Sequence, residues 1–278
     1  TLVRTLADRM FNQQAGRVIV ENRAGGATVI GTQAALAAPA DGATMLMVAA
    51  SFVIQPQLFS KTPYNVQKDF VPVCLVASNP HLLVVHPSVP ASNLKEFIAW
   101  AKSRNGAAAY ASFGNGSSGH LGFELLKKAG GFDMVHAAYK GGAPAIQDLL
   151  GGQVSAMLTD LPQAVQHVKS GKLKAIAVGA QLRDPALPEV PTFAEAGVPN
   201  FQSQSWYGLV MRAGTPPEVV EQLNGAVNAA LKDDKLKSIL EPSGLELIGG
   251  SSEQFRQFLD KEAARYQQAI AAAKIIPE

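Results

Sequence analysis

Residues 107–178 read AAAYASFGNGSSGHLGFELLKKAGGFDMVHAAYKGGAPAIQDLLGGQVSAMLTDLPQAVQHVKSGKLKAIAV, and this stretch decides the fold. Two periodicities alternate along it. Short apolar runs predict strands at 107–112, 134–138, 153–158 and 173–178, and the segments between them, 118–129, 143–150 and 163–170, keep helical spacing. Strand, helix, strand repeated in this way calls for a parallel sheet with right-handed crossovers, since parallel neighbours cannot be joined by a tight turn.

Working outward, a helix is predicted over 94–104, where Asn93 and Glu96 have capping-box spacing and Leu94, Phe97, Ile98 and Ala101 share a face. Upstream lie strands at 17–21, 45–49, 70–77 and 82–86 and a helix at 27–38, with a polar loop after 49. Downstream, a Pro-rich connection over 184–199 leads to an apolar run at 206–211. A helix at 216–231 then opens with Thr215, Pro216 and Glu218, and Ser251 with Gln254 opens a last helix to about residue 273. This helical end packs back on the first half. Residues 1–104 plus 208–278 then form a first lobe and 105–207 an inserted second lobe, with a cleft between them. Leu2, Val3, Leu6 and Met10 keep helical spacing with no capping sequence ahead of them, so further chain is expected upstream, including any export signal.

Composition removes several function classes. Across 278 residues Lys plus Arg is 24 and Asp plus Glu 22, a net charge of +2 with no clustered basic excess, so nucleic acid is not an expected partner. A single cysteine, Cys74, excludes an internal disulfide framework and any multi-cysteine zinc site. The charge-free stretch 42–60 approaches the about 20 apolar residues of a membrane span, but Gly42, Ser51, Gln55, Pro56 and Gln57 break it. His81, His86, His120, His136 and His167 show no metal-binding spacing, and no G-x-S-x-G elbow, P-loop or C-x-x-C occurs, so no cofactor, metal or catalytic constellation is expected.

The sharpest motif is Gly114-Asn115-Gly116-Ser117-Ser118-Gly119, which spells G-x-G-x-x-G between a strand and a helix. A nicotinamide site would need an acidic residue about 20 positions on, at the end of the next strand. That strand ends Ala137-Ala138-Tyr139-Lys140, and Asp133 stands at its beginning. A nucleotide-dependent oxidoreductase using the turn 114–119 is therefore the competing reading. The favoured one keeps the physics beneath the motif: a Gly-rich turn ahead of a helix offers unpaired amides and the positive dipole end to an anion such as a carboxylate. Ser112, Asn115, Ser117 and Ser118 would orient it, the alternative being that they cap the helix. Other strand ends contribute Ser51 and Phe52, Tyr139, Lys140 and Gly141, and Asp160. Asp160 could accept from a ligand amine or cap the helix it precedes. Lys140 could pair with an acid or be a solvated surface lysine. Trp206 and Tyr207 could stack on a ligand or pack at a hinge.

The chain resembles the periplasmic solute receptors of tripartite tricarboxylate transporters, the Bug family, along nearly its whole length. The segments that carry the likeness are VIVENR at 18–23, APADG at 38–42, HPSVP at 86–90, YASFGNGSSGHL at 110–121, YKGGAPA at 139–145, DLLGGQV at 148–154 and ALPEVPTFAEAG at 186–197. The resemblance implies a type II periplasmic-binding-protein fold, two α/β lobes with two crossover segments that close on a small organic carboxylate. It also implies a periplasmic, monomeric, non-enzymatic receptor that hands its ligand to membrane permease subunits, with a sensor kinase as an alternative partner in signalling. The first strand and a Gly-rich loop of the family are expected in the missing upstream segment. Family ligand contacts fall on the loops matching 50–53, 112–118, 139–142 and Asp160.

Overall fold

The computed structural model describes residues 2–11, 18–23 and 28–272. In chain order the elements are α1 (Leu2–Phe11), α2 (Val29–Ala37), β1 (Leu46–Val48), α3 (Ser51–Leu58), α4 (Val66–Asp69), β2 (Phe70–Val85), α5 (Leu94–Ser103), β3 (Ala109–Ser112), α6 (Ser118–Gly130), β4 (Val135–Ala138), α7 (Gly142–Leu150), β5 (Ala156–Asp160), α8 (Leu161–Lys169) and β6 (Lys174–Val178). They continue with β7 (Gln204–Arg212), α9 (Pro217–Leu231), α10 (Asp234–Leu240), β8 (Glu246–Leu247) and α11 (Ser252–Ala272). No described helix is long and apolar enough to cross a membrane.

Two compact units emerge, Thr1–Ser78 with Trp206–Gln267, and Asn79–Ser205 with the turns of α11 from Gln268 onward. The second unit begins at Asn79. Residues 79–104 group with the second unit because the latter half of β2 pairs with β5 and β6 there, and α5 follows it. Among the described residues the chain passes from one unit to the other within β2, at β7 and within α11.

In the second unit the strand order is β6-β2-β5-β3-β4. β3 runs parallel to β4 and β5, whereas β2 is antiparallel to both β5 and β6. The sheet is therefore mixed, not wholly parallel. β2 is not linked to either neighbour by a strand–helix–strand crossover, so nothing obliges it to share their direction. Alternation along β2 explains why both faces are apolar. Leu83 and Val85 join Phe97, Tyr110, Phe123 and Leu126 on one side, while Leu82 and Val84 join Ile146, Leu149, Leu161 and Leu173 on the other. Each such side chain stabilises the unit by about 1.5–3 kcal/mol relative to exposure. The first unit orders β1, β7 and β2 side by side, with β8 also on β2, and packs Val73, Val76, Leu209 and Met211 against Val220 of α9 and Leu236 of α10.

Several local expectations change. The strands at 70–77 and 82–86 are one continuous β2 that includes Pro80. Ala77 and Ser78 pair with β8 and His81 onward with β5, so Pro80 sits where the strand changes partners and no ladder donor is required of it. The polar loop after 49 is helix α3, with Pro56 inside it. Pro56 cannot donate to the Phe52 carbonyl, and the Tyr64 hydroxyl does so instead at 3.1 Å. No strand forms over 18–21, where Ile19 is 79% exposed and pairs with no strand; residue 17 lies outside the described residues. Thr215 does not cap α9, since its hydroxyl donates to the Arg212 carbonyl at 2.7 Å and Pro216 holds the cap position. The other two helix starts read in the sequence form as capped ends. Asn93 accepts from Glu96 N at 2.9 Å, and Ser251 and Gln254 bond reciprocally at 3.1 and 2.7 Å.

Candidate functional site

The carboxyl ends of the parallel strands β3, β4 and β5 lead into helices, the first two through short turns and β5 directly, so the starts of α6, α7 and α8 lie along one edge of the second unit's sheet. A helix start leaves four amides without intrahelical partners and carries the positive end of the dipole. At α6, Ser117 N donates to Gly114 O at 3.2 Å and His120 N to Ser117 Oγ at 3.3 Å, so Ser117 is the cap. No partner is seen for the amides of Ser118 and Gly119 among the described residues. Gly119 also packs so close to the Leu158 carbonyl, 2.9 Å from where a Cβ would sit, that a larger residue would force β5 away. At α7, Gly141 N donates to Phe113 O at 3.1 Å and the third helical residue is Pro144, which leaves Gly142 and Ala143 to offer amides. Gly141 adopts φ 108° and ψ 178°, a backbone region open essentially to glycine alone.

The sequence-predicted residues divide by what the fold does with them. Asn115 and Lys140 are exposed. Ser112 is fully buried and committed to the turn itself: its Oγ accepts from Gly114 N at 3.1 Å and lies 2.7 Å from His136 Nε2. Gly116 N donates to His120 Nδ1 at 3.1 Å, so its amide faces the protein and not a ligand. Tyr139 is half-buried and its hydroxyl donates to Asp148 Oδ2 at 2.7 Å; partial burial, and then that carboxylate, push its pKa up to about 12. Ser51 and Phe52 belong to the first unit. Ser51 opens α3, with Oγ 3.1 Å from Thr28 Oγ1, but Phe52 is a core residue, 1% exposed and stacked on Tyr64 at 5.4 Å, so its ring is not available to a ligand. Trp206 is likewise buried, donating to Glu262 Oε2 at 2.9 Å among Phe255 and Phe258, which leaves it no face for stacking on a ligand. The glycines at 25–26 lie outside the described residues.

Sequence reasoning weighed the histidines only as metal ligands and did not place them at the turn. His81, fully buried on β2 and in register with Asp160, gathers Ser203 Oγ at 2.8 Å on Nδ1, and Ser205 Oγ at 3.1 Å, Ser118 Oγ at 3.4 Å and Asp160 Oδ1 at 3.5 Å on Nε2. Asp160 and Ser203 stand on opposite nitrogens of His81, as the members of a triad would, but Asp160 is 3.5 Å off and Ser203 is only 2% exposed, so the cluster holds no accessible nucleophile. His120 and His136 stack at 3.8 Å and 8° beneath the turn 114–117. Burial first, then each other's company and Lys127, lowers His120 to about 3, and burial with Lys127 lowers His136 to about 4, so both rings are neutral acceptors for the turn. Thr28 was also missed; it holds φ 83°, strained for a β-branched residue, at the start of α2. None of these carries a local motif, and only strand register and packing bring them together. The competing cofactor reading fares worse. Asp133 is at the far end of β4 from the turn and ion-pairs with Lys127 at 2.8 Å.

The family model described as tripartite tricarboxylate transporter family receptor matches residues 2–275. The chain belongs to that family. Among relatives of this receptor family, the Protein BugT of Bordetella pertussis is 34% identical over 267 residues, 95% of this chain and 82% of its own. Two solved structures of Rhodopseudomonas palustris proteins are similar throughout: Rpa4515 with adipate, 32% identical with a TM-score of 0.90 over 100% of this chain and 93% of that one, and MatC with bound malate, 30% identical with a TM-score of 0.85 over 97% and 93%. The structure of the periplasmic binding protein BugD gives 30% and 0.87, over 100% and 93%. The two-lobed α/β fold implied by the resemblance is the fold of this receptor family, and the chain is a solute receptor of the tripartite tricarboxylate transporter type.

Proposed function

We propose that the chain is a non-catalytic periplasmic receptor that captures a small organic carboxylate at the helix starts of its second unit and delivers it to membrane permease subunits. One observation carries this reading: α6, α7 and α8 begin side by side at the carboxyl ends of β3, β4 and β5, with the amides of Ser118, Gly119, Gly142 and Ala143 left for an acceptor from outside. A carboxylate supplies the oxygens and the charge that such amides favour. Relatives solved with adipate and malate support the same ligand class. The burial of Ser203, the serine on the other nitrogen of His81 from Asp160, supports binding without acyl transfer.

The test is a thermal-shift panel of mono-, di- and tricarboxylates, with mass spectrometry of any small molecule that copurifies. At a concentration 100 times Kd a true ligand stabilises by about 2.7 kcal/mol, a readily measured rise in Tm. At least one acid should do so. Silence across the acids, with stabilisation by a nicotinamide or flavin nucleotide instead, would transfer the turn 114–119 to the oxidoreductase reading.

A further inference from the structure

We propose that Asp160 makes this receptor selective for carboxylates that also bear a hydrogen-bond donor, a hydroxyl or an ammonium group. The inference rests on the reading above, in which the acid itself is held by the first-turn amides of α6 and α7.

Asp160 ends β5 and occupies the cap position of α8 with an ordinary capping backbone, φ −57° and ψ 131°, yet its side chain makes no capping hydrogen bond. Capping would have satisfied it at no cost in burial. Instead the residue is 8% exposed, and its carboxylate is under-provided with donors. Oδ2 receives one long hydrogen bond, from Gln163 Nε2 at 3.4 Å, and Oδ1 receives none. A buried carboxylate has about four acceptor positions, and leaving them empty costs several kcal/mol.

His81 does not make up the deficit. Its Nε2 stands 3.5 Å from Oδ1, but the same ring is held by Ser203, Ser205 and Ser118, so it cannot turn toward Asp160 without releasing a closer partner. A bound molecule can supply the missing donor. Gln163 marks the approach: its side chain is exposed, its amide is the one donor now on the carboxylate, and it also lies over Gly142 at the start of α7. Displaced, it opens both groups to the same ligand.

The separation suits a small molecule. Ser118 Oγ and Asp160 Oδ1 lie 3.4 and 3.5 Å from one nitrogen atom, so the first residue of α6 and the carboxylate are no more than about 7 Å apart. An acid bound at α6 with a hydroxyl or ammonium a few bonds away reaches Asp160. An unsubstituted diacid brings only more negative charge to it, which like-charge repulsion disfavours.

Titration calorimetry at pH 7.5 with succinate, malate and aspartate, which share one carbon skeleton, and with adipate and 2-aminoadipate as a longer pair, decides the matter. The donor-bearing acid of the better-binding length should bind at least tenfold tighter than its unsubstituted counterpart, the range of a hydrogen bond to a charged group. Asp160→Ala should reduce that preference below threefold, and Asp160→Asn should lose more of the ammonium preference than of the hydroxyl preference. Equal or tighter binding of the unsubstituted acids, or a preference that survives Asp160→Ala, overturns the inference and leaves the carboxylate reading intact. If no acid of either length binds, both fall. Should the variants fail to fold, the wild-type comparison is decisive by itself.

Discussion

Lowering the pH from 7.5 to 5 should destabilise the second unit through His120. In the unfolded chain this imidazole titrates near 6.5; in the fold, burial above all, with His136 and Lys127 beside it, lowers it to about 3. Below 6.5 the unfolded chain therefore carries a proton that the folded one refuses, and the stability present above pH 6.5 is lost as pH falls toward 3, at about 1.4 kcal/mol per unit. Between pH 7.5 and 5 the loss from this one residue is about 2 kcal/mol. His136, lowered for the same main reason, acts in the same direction. The clean comparison is His120→Asn, whose Oδ1 can still accept from Gly116 N but which does not titrate. The two tryptophans, Trp100 and Trp206, belong to different units, so in a Trp206→Phe background Trp100 fluorescence reports the second unit alone. Urea unfolding at several pH values should give a curve of stability against pH for the Asn variant that is flatter by about 2 kcal/mol over this range. Parallel curves for the two proteins would refute the argument, whatever the absolute stability of the variant.

Three further outcomes follow from particular contacts. Tyr64→Phe leaves the Phe52 carbonyl, already deprived of a donor by Pro56, without a partner, and should cost about 1–3 kcal/mol in the first unit by urea unfolding. Ser117→Ala removes the cap of α6 and should cost about 1 kcal/mol, whereas Asn115→Ala, on an exposed residue, should leave the melting temperature within error; equal losses would place the cap wrongly. Gly141→Ala meets no atom within 4 Å, so its cost is the backbone strain at φ 108°, about 1–3 kcal/mol, and ligand binding should weaken with it; an unchanged Kd and Tm would show that the turn relaxes freely.

Most of the second unit was legible because its signals are local. The alternation over 107–178, the Asn93 cap and the Gly-rich turn each need only a few neighbouring residues to be read, as does the Ser251 cap in the first unit. β2 was not, since two prolines in an apolar run normally divide a strand, and only the change of partners after Ser78 shows why Pro80 is tolerated. The helix α3 was hidden by Pro56 until Tyr64 supplied the donor. The turn 112–118, Gly141 and Asp160 could be read as following strand ends, but the burial of Phe52 could not, because a strand end does not say which way a ring points. His81 was weighed only as a metal ligand. Its partners Ser203 and Ser205 are more than a hundred residues away, and the pairing His81↔Asp160 is a matter of register.

The insertion also sets a timetable. Leu46 of β1 pairs with Val210 of β7, so the first unit's sheet cannot close until 164 more residues have emerged, whether from a ribosome or from a translocation pore. The strands of the interrupted half wait meanwhile with open edges, exposed to chaperones and to one another, while the interposed half has nearly all of its chain in hand and can condense first.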